Sequence, residues 1–260
     1  MPSSSGEGRA HTGRVTLACA PVEQVLADAG WRAGQGADPA PHWLSADEVR
    51  RLGGLTAPQR AQAFVAGRWL LRQACARHSG RPAGDWSADA PPDGPPVLRC
   101  RGRAPVPPLH LSLSHSGRLV ACAVADAPVG LDIEDRSLTR DVARLAPRVL
   151  DADEQAWLAA QPDARAAFLS LWTLKEAAIK RQGSRLGLRR LPRIACRPGV
   201  ADGAGACPAW VWQTPQDVLA LVGEVGEVGE VGEKAASQQI GLDGDGRAQP
   251  PQRWSVGFDG

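Results

Sequence analysis

The segment Phe168–Lys180 (FLSLWTLKEAAIK) carries side chains that can accept a proton and neutralise phosphate. Lysine is rare in this chain, which draws most of its positive charge from arginine, yet Lys175 and Lys180 flank Glu176 here. The spacing predicts a helix with Trp172, Glu176 and Lys180 along one face, and an apolar stripe made of Phe168, Leu171, Leu174 and Ala178. We expect this helix to hold the active site, although an ordinary amphipathic helix with a Glu–Lys pair shows the same spacing.

Two further acidic residues lie in a segment with the pattern of a strand. The segment Pro128–Glu134 alternates apolar residues with Gly130, Asp132 and Glu134, the period-2 pattern of a half-buried strand. Asp132 and Glu134 then point the same way, roughly 7 Å apart by strand rise, and repel each other unless water or a cation intervenes. Magnesium is a suitable cation because it prefers oxygen ligands and is commonly shared with substrate phosphates. A solvated acidic strand face is the alternative.

A strand of alternating leucines precedes the acidic strand. Residues 109–116 alternate Leu with His or Ser and end in a turn at Ser116-Gly117. An apolar run, 118–125, follows, so the pattern predicts a three-stranded meander that ends in the acidic strand. At the strand end Ser114, His115 and Ser116 could hydrogen-bond phosphate oxygens, or His115 could be an ordinary turn histidine.

These three motifs, in this order, resemble the signature of the 4′-phosphopantetheinyl transferases of the surfactin-synthetase-activating (Sfp-like) type. The motifs read Leu-Ser-His-Ser-Gly, Val-Gly-Leu-Asp-Ile-Glu and Leu-Trp-Thr-Leu-Lys-Glu-Ala-Ala-Ile-Lys. The resemblance covers roughly Trp43–Leu191 and is densest between His110 and Gly183. Each motif is weak alone, whereas three in the right order and spacing are specific.

The resemblance implies a Mg²⁺-dependent transfer of phosphopantetheine from coenzyme A to a serine of an apo carrier domain, with 3′,5′-ADP as leaving group. This is the activity of a holo-[acyl-carrier-protein] synthase type of enzyme. On the family pattern, Asp132, Glu134 and Glu176 ligate Mg²⁺, and Glu176 or a water that it holds is the base. Lys180 neutralises charge on the phosphates and the leaving nucleotide, and Lys175 adds to this or faces solvent.

The same pattern implies which residues bind the coenzyme. Ser114 and His115 match the positions that bind the 3′-phosphate, and Arg51 and Arg68 are expected to add phosphate contacts from basic N-terminal helices. Two departures affect these contacts. The family's usual Gly-Lys-Pro is Gly94-Pro95-Pro96, and the arginine expected before Phe64 is Ala63. Arg99 or Arg101 is our hypothesis for the replacement of the missing lysine.

The resemblance implies an α+β fold class, with two similar α/β halves in a pseudo-twofold arrangement and the active site in the cleft between them. We expect a disordered N-terminus at 1–15, an N-terminal half at 16–124 and a C-terminal half at 125–260 that carries the magnesium site. The Val-Gly-Glu repeat within 222–234 predicts a low-complexity surface loop, because its three-residue period matches neither helix nor strand. We expect it between a strand around Ala209–Trp212 and a last strand near Arg253–Phe258.

Composition narrows the kinds of protein and cellular location that the sequence allows. A net charge of only +2 argues against a dedicated nucleic-acid binder. Six cysteines without metal-ligand spacing predict reduced thiols. The N-terminus lacks an apolar signal core and no apolar run is long enough to span a membrane, so we expect a cytoplasmic protein. The resemblance implies a monomer.

The expected partners are coenzyme A and an apo acyl, peptidyl or polyketide carrier domain, without membrane or nucleic acid. The carrier's pathway, whether in fatty-acid, polyketide or nonribosomal-peptide synthesis, is not readable from the chain. A non-catalytic module of the same fold that binds coenzyme A or a carrier is the main alternative. Another Mg²⁺-dependent phosphoryl-transfer enzyme is a weaker one, because no P-loop or dinucleotide glycine fingerprint occurs.

Overall fold

The computed structural model describes residues 13–31, 40–89, 96–101, 107–138, 140–183, 188–199, 205–225 and 250–258. Its helices are α1 (Val22–Asp28), α2 (Ala46–Gly53), α3 (Pro58–Ser79), α4 (Val142–Val149), α5 (Ala152–Ala159) and α6 (Ala164–Arg181). Its strands are β1 (Val15–Pro21), β2 (Trp86–Asp89), β3 (Val97–Cys100), β4 (His110–Ser116), β5 (Leu119–Ala125), β6 (Val129–Asp135), β7 (Ile194–Pro198), β8 (Cys207–Gln213), β9 (Asp217–Gly223) and β10 (Gln252–Phe258). Short 3-10 helices lie at Ala83–Asp85 and Leu188–Arg193. This mixture of helices and sheets agrees with the α+β class.

Two antiparallel sheets form the body of the protein. The first has three strands in the order β1-β5-β4, and the second has five in the order β6-β9-β8-β10-β7. A separate hairpin pairs β2 with β3. The chain passes from the first sheet to the second through residues 126–128, between the end of β5 and the start of β6.

The sheets pack face to face, and helices cover their outer faces. Alternate residues of β5, such as Val120 and Cys122, join a core with α1 and α3. The intervening residues, such as Ala121 and Ala123, face Leu131 and the other inward residues of the second sheet. The outer face of the second sheet packs against α6, whose apolar residues form the largest buried cluster. Because alternate residues of a strand point to opposite faces, each sheet contributes one face to the core between the sheets and the other face to a core with its helices.

Local sequence explains where the long helices begin and end. The α2 helix starts with a capping box between Ser45 and Glu48. Gly80 ends α3 in a left-handed conformation with φ of 74°. The α6 helix begins where the Asp163 side chain accepts a hydrogen bond from Ala166 N at 2.9 Å. The helix predicted over Phe168–Lys180 is thus confirmed and slightly longer.

The structure corrects three sequence predictions. The third strand of the expected meander is wrong, because β6 pairs with β9 in the second sheet and not with β5. The expected disorder through residue 15 is wrong at its end, since β1 starts at Val15 and Gly13 bridges to Val225. The predicted loop at 222–234 is wrong at its start, because Val222 and Gly223 belong to β9, a strand that the sequence interpretation missed.

Some predictions concern residues that the structure does not describe. Residues 1–12 and 226–234 lie outside the described residues, as do Gly94 and Pro95. The last strand is confirmed at Gln252–Phe258. Within the described ranges, the helices lack a stretch long and apolar enough for a membrane span.

Candidate active site

A glycine lets β6 and α6 approach closely. A Cβ added at Gly130 would lie 1.8 Å from the carbonyl oxygen of Ala177 and 2.6 Å from the nitrogen of Arg181, so only glycine fits. Asp132 and Glu134 follow Gly130 at alternate positions on the same face of β6. The close approach therefore places both carboxylates against the face of α6 that carries Trp172, Glu176 and Lys180.

Asp132 is held by a hydroxyl and an ammonium. Its Oδ1 accepts hydrogen bonds from Ser114 Oγ and from Lys180 Nζ, each at 2.7 Å. The residue is only 6% exposed. Its second oxygen, Oδ2, is buried and has no hydrogen-bond partner among the described residues. An ionised oxygen left in that state is costly, so Oδ2 is open to a further donor or a cation.

Glu134 has three donors from three different elements. Ser116 Oγ donates to its Oε2 at 3.1 Å, and Trp172 Nε1 donates to its Oε1 at 2.9 Å. Arg140 also pairs with Oε1, and its guanidinium lies 4.6 Å from the centre of the Trp172 ring. Glu134 is only 7% exposed, so these donors replace the water that burial removes.

Glu176 differs from the other two carboxylates because it has no hydrogen bond within the described part of the chain. Burial raises the pKa of its carboxyl above the ordinary value, and the negative charges of Asp132 and Glu134 raise it further, against the opposing charges of Lys180 and Arg140. A carboxylate with a raised pKa and no partner can accept a proton or a cation.

The donor set fits magnesium chemically, but the side chains do not converge as they stand. Within the described ranges, no three His, Cys, Asp or Glu side chains are grouped closely enough to hold a metal ion. Asp132 and Glu134 instead face Lys180 and Arg140, whose positive charges compensate them. Carboxylate oxygens are nevertheless the ligands that Mg²⁺ prefers, and Asp132 Oδ2 is a buried oxygen without a hydrogen-bond partner among the described residues.

A positive cluster lies beside the carboxylates. The His115 side chain is exposed, and partial desolvation lowers its pKa, with further lowering by the charges of Lys180 and Arg60. Arg60 is exposed in the first turn of α3 and has no ion pair within the described ranges. These three groups come from β4, α6 and α3, and together they can bind an anion such as a phosphate. Arg51 is also exposed, in the last turn of α2.

The expectation that Lys175 contacts coenzyme A or faces solvent is wrong. Lys175 is fully buried on the opposite side of α6 from the carboxylates, where its Nζ lies 2.8 Å from Glu154 Oε2. The same Nζ donates to the carbonyl oxygens of Leu191 and Ile194. All three protons of the ammonium are used, so Lys175 anchors α6 to the C-terminal core.

Ser114 and Arg68 also have environments other than those expected. Ser114 is buried and bonded to Asp132, so it supports a carboxylate in place of the coenzyme's 3′-phosphate. Arg68 is 5% exposed and lies 3.4 Å from Glu48, which it shares with Arg72. Burial lowers the pKa of Arg68 to about 10. A phosphate could reach this guanidinium only by displacing the buried pair.

A cavity of about 520 Å³ lies alongside the end of α6. Its lining includes Lys180 and Arg181, the start of β4 and β6, and the β2–β3 hairpin. Apolar walls come from Trp86, Leu98, Leu109, Leu111 and Val129. Arg99 is directed elsewhere, because its Nε donates to Asp89 at 2.9 Å, and neither Arg99 nor Arg101 lines the cavity.

Sequence reasoning missed two residues that contact or approach the site. Arg140 lies outside the recognised motifs, so no pattern marked it. Arg60 was one of many helical arginines. Ser116 was predicted beside Ser114 and His115 at the strand end as a group that could bind phosphate, whereas in the structure it donates to Glu134.

Comparison with known proteins identifies the part of the chain that carries this site. A family model described as the 4′-phosphopantetheinyl transferase superfamily matches residues 128–201, which include β6 and α6. The chain is 46% identical over 93 residues to the 4′-phosphopantetheinyl transferase psf-1 of Bacillus pumilus, which is 35% of this chain and 37% of that protein. It is 34% identical over 131 residues to a 4′-phosphopantetheinyl transferase of Bacillus subtilis, which is 49% of this chain and 55% of that protein.

A third relative is the 4′-phosphopantetheinyl transferase Sfp of Bacillus subtilis (strain 168), 36% identical over 86 residues, or 32% of this chain and 37% of that protein. The matches span from about a third to just over half of these relatives' own lengths. All three names denote 4′-phosphopantetheinyl transferases and none denotes a holo-[acyl-carrier-protein] synthase. Residues 128–201, with the carboxylates of β6 and α6, therefore match the 4′-phosphopantetheinyl transferase superfamily, and the chain is similar to transferases of the Sfp-like type.

Proposed function

We propose that this protein transfers the 4′-phosphopantetheine group of coenzyme A to a serine hydroxyl of an apo carrier domain, with release of 3′,5′-ADP and dependence on Mg²⁺. The observation that carries the proposal is the placement of Asp132 and Glu134 on β6 opposite Glu176 and Lys180 on α6, where Lys180 bonds to Asp132 and both β6 carboxylates act on the pKa of Glu176. The names of the relatives support the reaction class.

Asp132, Glu134 and Glu176 would hold the magnesium ion, which would polarise phosphoryl oxygens and offset their negative charge. The open Oδ2 of Asp132 supports this assignment. Lys180 and Arg140 would have to turn away from the carboxylates as the ion enters, since one ligand oxygen cannot serve both. Lys180 is 30% exposed at its side chain, which leaves it room to turn.

Glu176 is the proposed base. The serine oxygen of the carrier forms a bond to the β-phosphorus of coenzyme A, and the bond from that phosphorus to the bridging oxygen breaks. The electron pair of the broken bond leaves with 3′,5′-ADP, and the serine proton passes to Glu176 or to a water that it holds. The raised pKa and the absence of a hydrogen bond within the described ranges support this role.

The positive cluster of Arg60, His115 and Lys180 is the proposed phosphate site of coenzyme A. The neighbouring cavity, with its apolar walls, has a size suited to the organic part of the coenzyme. We extend the proposal to a pseudo-twofold relation between the two halves, with the coenzyme between them. The contact of elements from both sheets around the site supports that placement.

The test is intact-mass spectrometry of apo fatty-acid, polyketide and peptide carrier proteins after incubation with this protein, coenzyme A and Mg²⁺. We expect one phosphopantetheinyl group to be added, and we expect no addition with EDTA or with Glu176→Gln. The matched control is Asp135→Asn, which removes a carboxylate from the opposite face of the same strand and should retain transfer. Intact coenzyme A binding without transfer to any carrier would favour the non-catalytic binding module instead.

A further inference from the structure

A row of serine hydroxyls joins the two sheets. Ser112, Ser114 and Ser116 occupy alternate positions on β4 and accept hydrogen bonds from the backbone N–H groups of β6. The three distances are 2.9 Å from Leu131 N, 3.4 Å from Ile133 N and 3.1 Å from Asp135 N. Since β4 ends one sheet and β6 ends the other, these hydroxyls satisfy strand-edge donors that no backbone ladder reaches. We call them the serine row.

The three members of the serine row differ in where their own protons go. A serine hydroxyl has a single proton to donate. Ser112 donates to the backbone oxygen of Leu131 at 3.4 Å, whereas Ser116 donates to the carboxylate of Glu134 at 3.1 Å. Ser114 donates to Asp132 at 2.7 Å. Two members therefore orient carboxylates, and Ser112 has only a structural contact.

Ser116 is fixed from both sides. It is 9% exposed, and its oxygen accepts from the backbone of Asp135 while its proton is directed at Glu134. The β4–β5 register pairs Ser116 with Leu119 across the turn at Gly117. Strand pairing and two hydrogen bonds thus leave this hydroxyl a single orientation.

The donors on Glu134 are unequal in mobility. Arg140 is a long, partly exposed side chain, 26% exposed, and it must leave when a cation arrives. Ser116 and Trp172 are buried and remain in place. Ser116 holds Oε2 and Trp172 holds Oε1, so the plane of the carboxylate stays defined after Arg140 departs.

We propose that Ser116 is a positioning residue, which orients the Glu134 carboxylate so that Mg²⁺ binds to a preformed oxygen. The inference rests on the proposed function for the identity of the ion. Ser116 itself touches neither substrate nor metal. Partners that orient a metal ligand in this way are commonly worth about 10- to 100-fold in metal affinity.

The test is Mn²⁺ binding to the full chain in the presence of saturating coenzyme A, measured by the loss of the free-ion electron paramagnetic resonance signal. We expect Ser116→Ala to weaken Mn²⁺ binding by about 10-fold or more, and Ser116→Thr, which keeps the hydroxyl, to restore it. Ser112→Ala is the matched control, because it removes the same type of strand-edge contact without touching a carboxylate. It should change the affinity less than about twofold.

Thermal unfolding of the metal-free variants supplies the second readout. Ser112→Ala and Ser116→Ala should both lose stability, since each leaves one strand-edge N–H unpaired, and Ser116→Ala should lose more because the buried Glu134 carboxylate also loses a donor. Equal losses of Mn²⁺ affinity in both variants, or no loss in Ser116→Ala, would overturn the positioning role while leaving the metal site intact. Failure of the wild-type chain to bind Mn²⁺ with coenzyme A would refute the metal site, and this inference with it.

Discussion

Lys180 and Asp132 form a hydrogen-bonded ion pair across the contact of α6 with β6, with 2.7 Å between Nζ and Oδ1. The carboxylate of Asp132 is buried and the ammonium of Lys180 is partly exposed. In the proposed function, a metal ion would take the place of this ammonium at Asp132. Binding of the metal and release of the lysine toward a phosphate would then be two parts of one rearrangement.

This pairing predicts opposite effects of Lys180→Met on metal binding and on transfer. Mn²⁺ affinity should be equal to the wild-type value or higher, because a competing charge is gone. The transfer rate should fall by about 10²–10³-fold, because charge on the phosphates is no longer neutralised. Calorimetry measures the Mn²⁺ affinity, and mass spectrometry measures the transfer rate. A fall in both quantities would contradict the idea that the metal replaces Lys180 at Asp132.

Glu176→Gln should stabilise the metal-free protein at neutral pH. The pKa of Glu176 is raised by burial and by the charges of Asp132 and Glu134, so the folded state binds the proton more tightly than the unfolded chain. Stability is therefore lost as pH rises from the ordinary 4.5 through the raised value. The midpoint temperature of the variant should exceed that of wild type at about pH 7.5, and the gain should vanish at about pH 4. A variant less stable than wild type at both pH values would contradict the prediction that ionised Glu176 destabilises the folded protein.

Lys175→Met should destabilise the protein without removing its chemistry. Lys175 and Glu154 form a fully buried pair, and removal of one partner from such a pair costs about 3–5 kcal/mol. The double variant Lys175→Met/Glu154→Gln should recover part of that loss, because no unpaired charge remains. Urea unfolding measures both. Transfer per folded molecule should remain within about threefold of wild type, and a far larger loss would return Lys175 to the coenzyme site.

Gly130→Ala should separate β6 from α6. The new methyl group would overlap the Ala177 carbonyl, so either the helix or the strand must shift, at a cost of at least about 3 kcal/mol. Gly257→Ala is the matched control, since Gly257 also lies in a strand and a Cβ there meets nothing within 4 Å. Urea unfolding should show the difference, and a fully stable Gly130→Ala protein would mean that the strand and helix do not pack as described.

Coenzyme A affinity should increase as the pH is lowered toward the lowered pKa of His115. Partial desolvation and the charges of Lys180 and Arg60 lower the pKa of the free imidazole below its ordinary 6.5, whereas a bound phosphate favours the protonated form. Binding therefore takes up a proton. We expect coenzyme A affinity, measured between about pH 5.5 and 8, to depend less on pH in His115→Ala than in wild type. The dependence should be unchanged in His42→Ala, which alters an exposed histidine elsewhere. An unchanged slope in His115→Ala would remove His115 from the phosphate site.

The patterns of β6 and α6 were predictable because each depends on a local period. Alternation placed Asp132 and Glu134 on one face, and the i, i+4, i+8 spacing placed Trp172, Glu176 and Lys180 on another. Both faces carry the conspicuous residue types, and a hydrogen bond from Lys180 to Asp132 joins them. The α+β class, which the family resemblance implied, agrees with the observed helices and sheets.

Only the tertiary structure decided which roles two residues of the same type have. Lys175 and Lys180 look alike in sequence, yet one is buried on Glu154 and the other reaches Asp132, because five helical positions place them on different sides of α6. The separation of β6 from the meander, the support of Asp132 and Glu134 by Ser114 and Ser116, and the approach of Arg140 all depend on contacts between distant segments. Such contacts are set by the packing of two sheets, which no local period encodes.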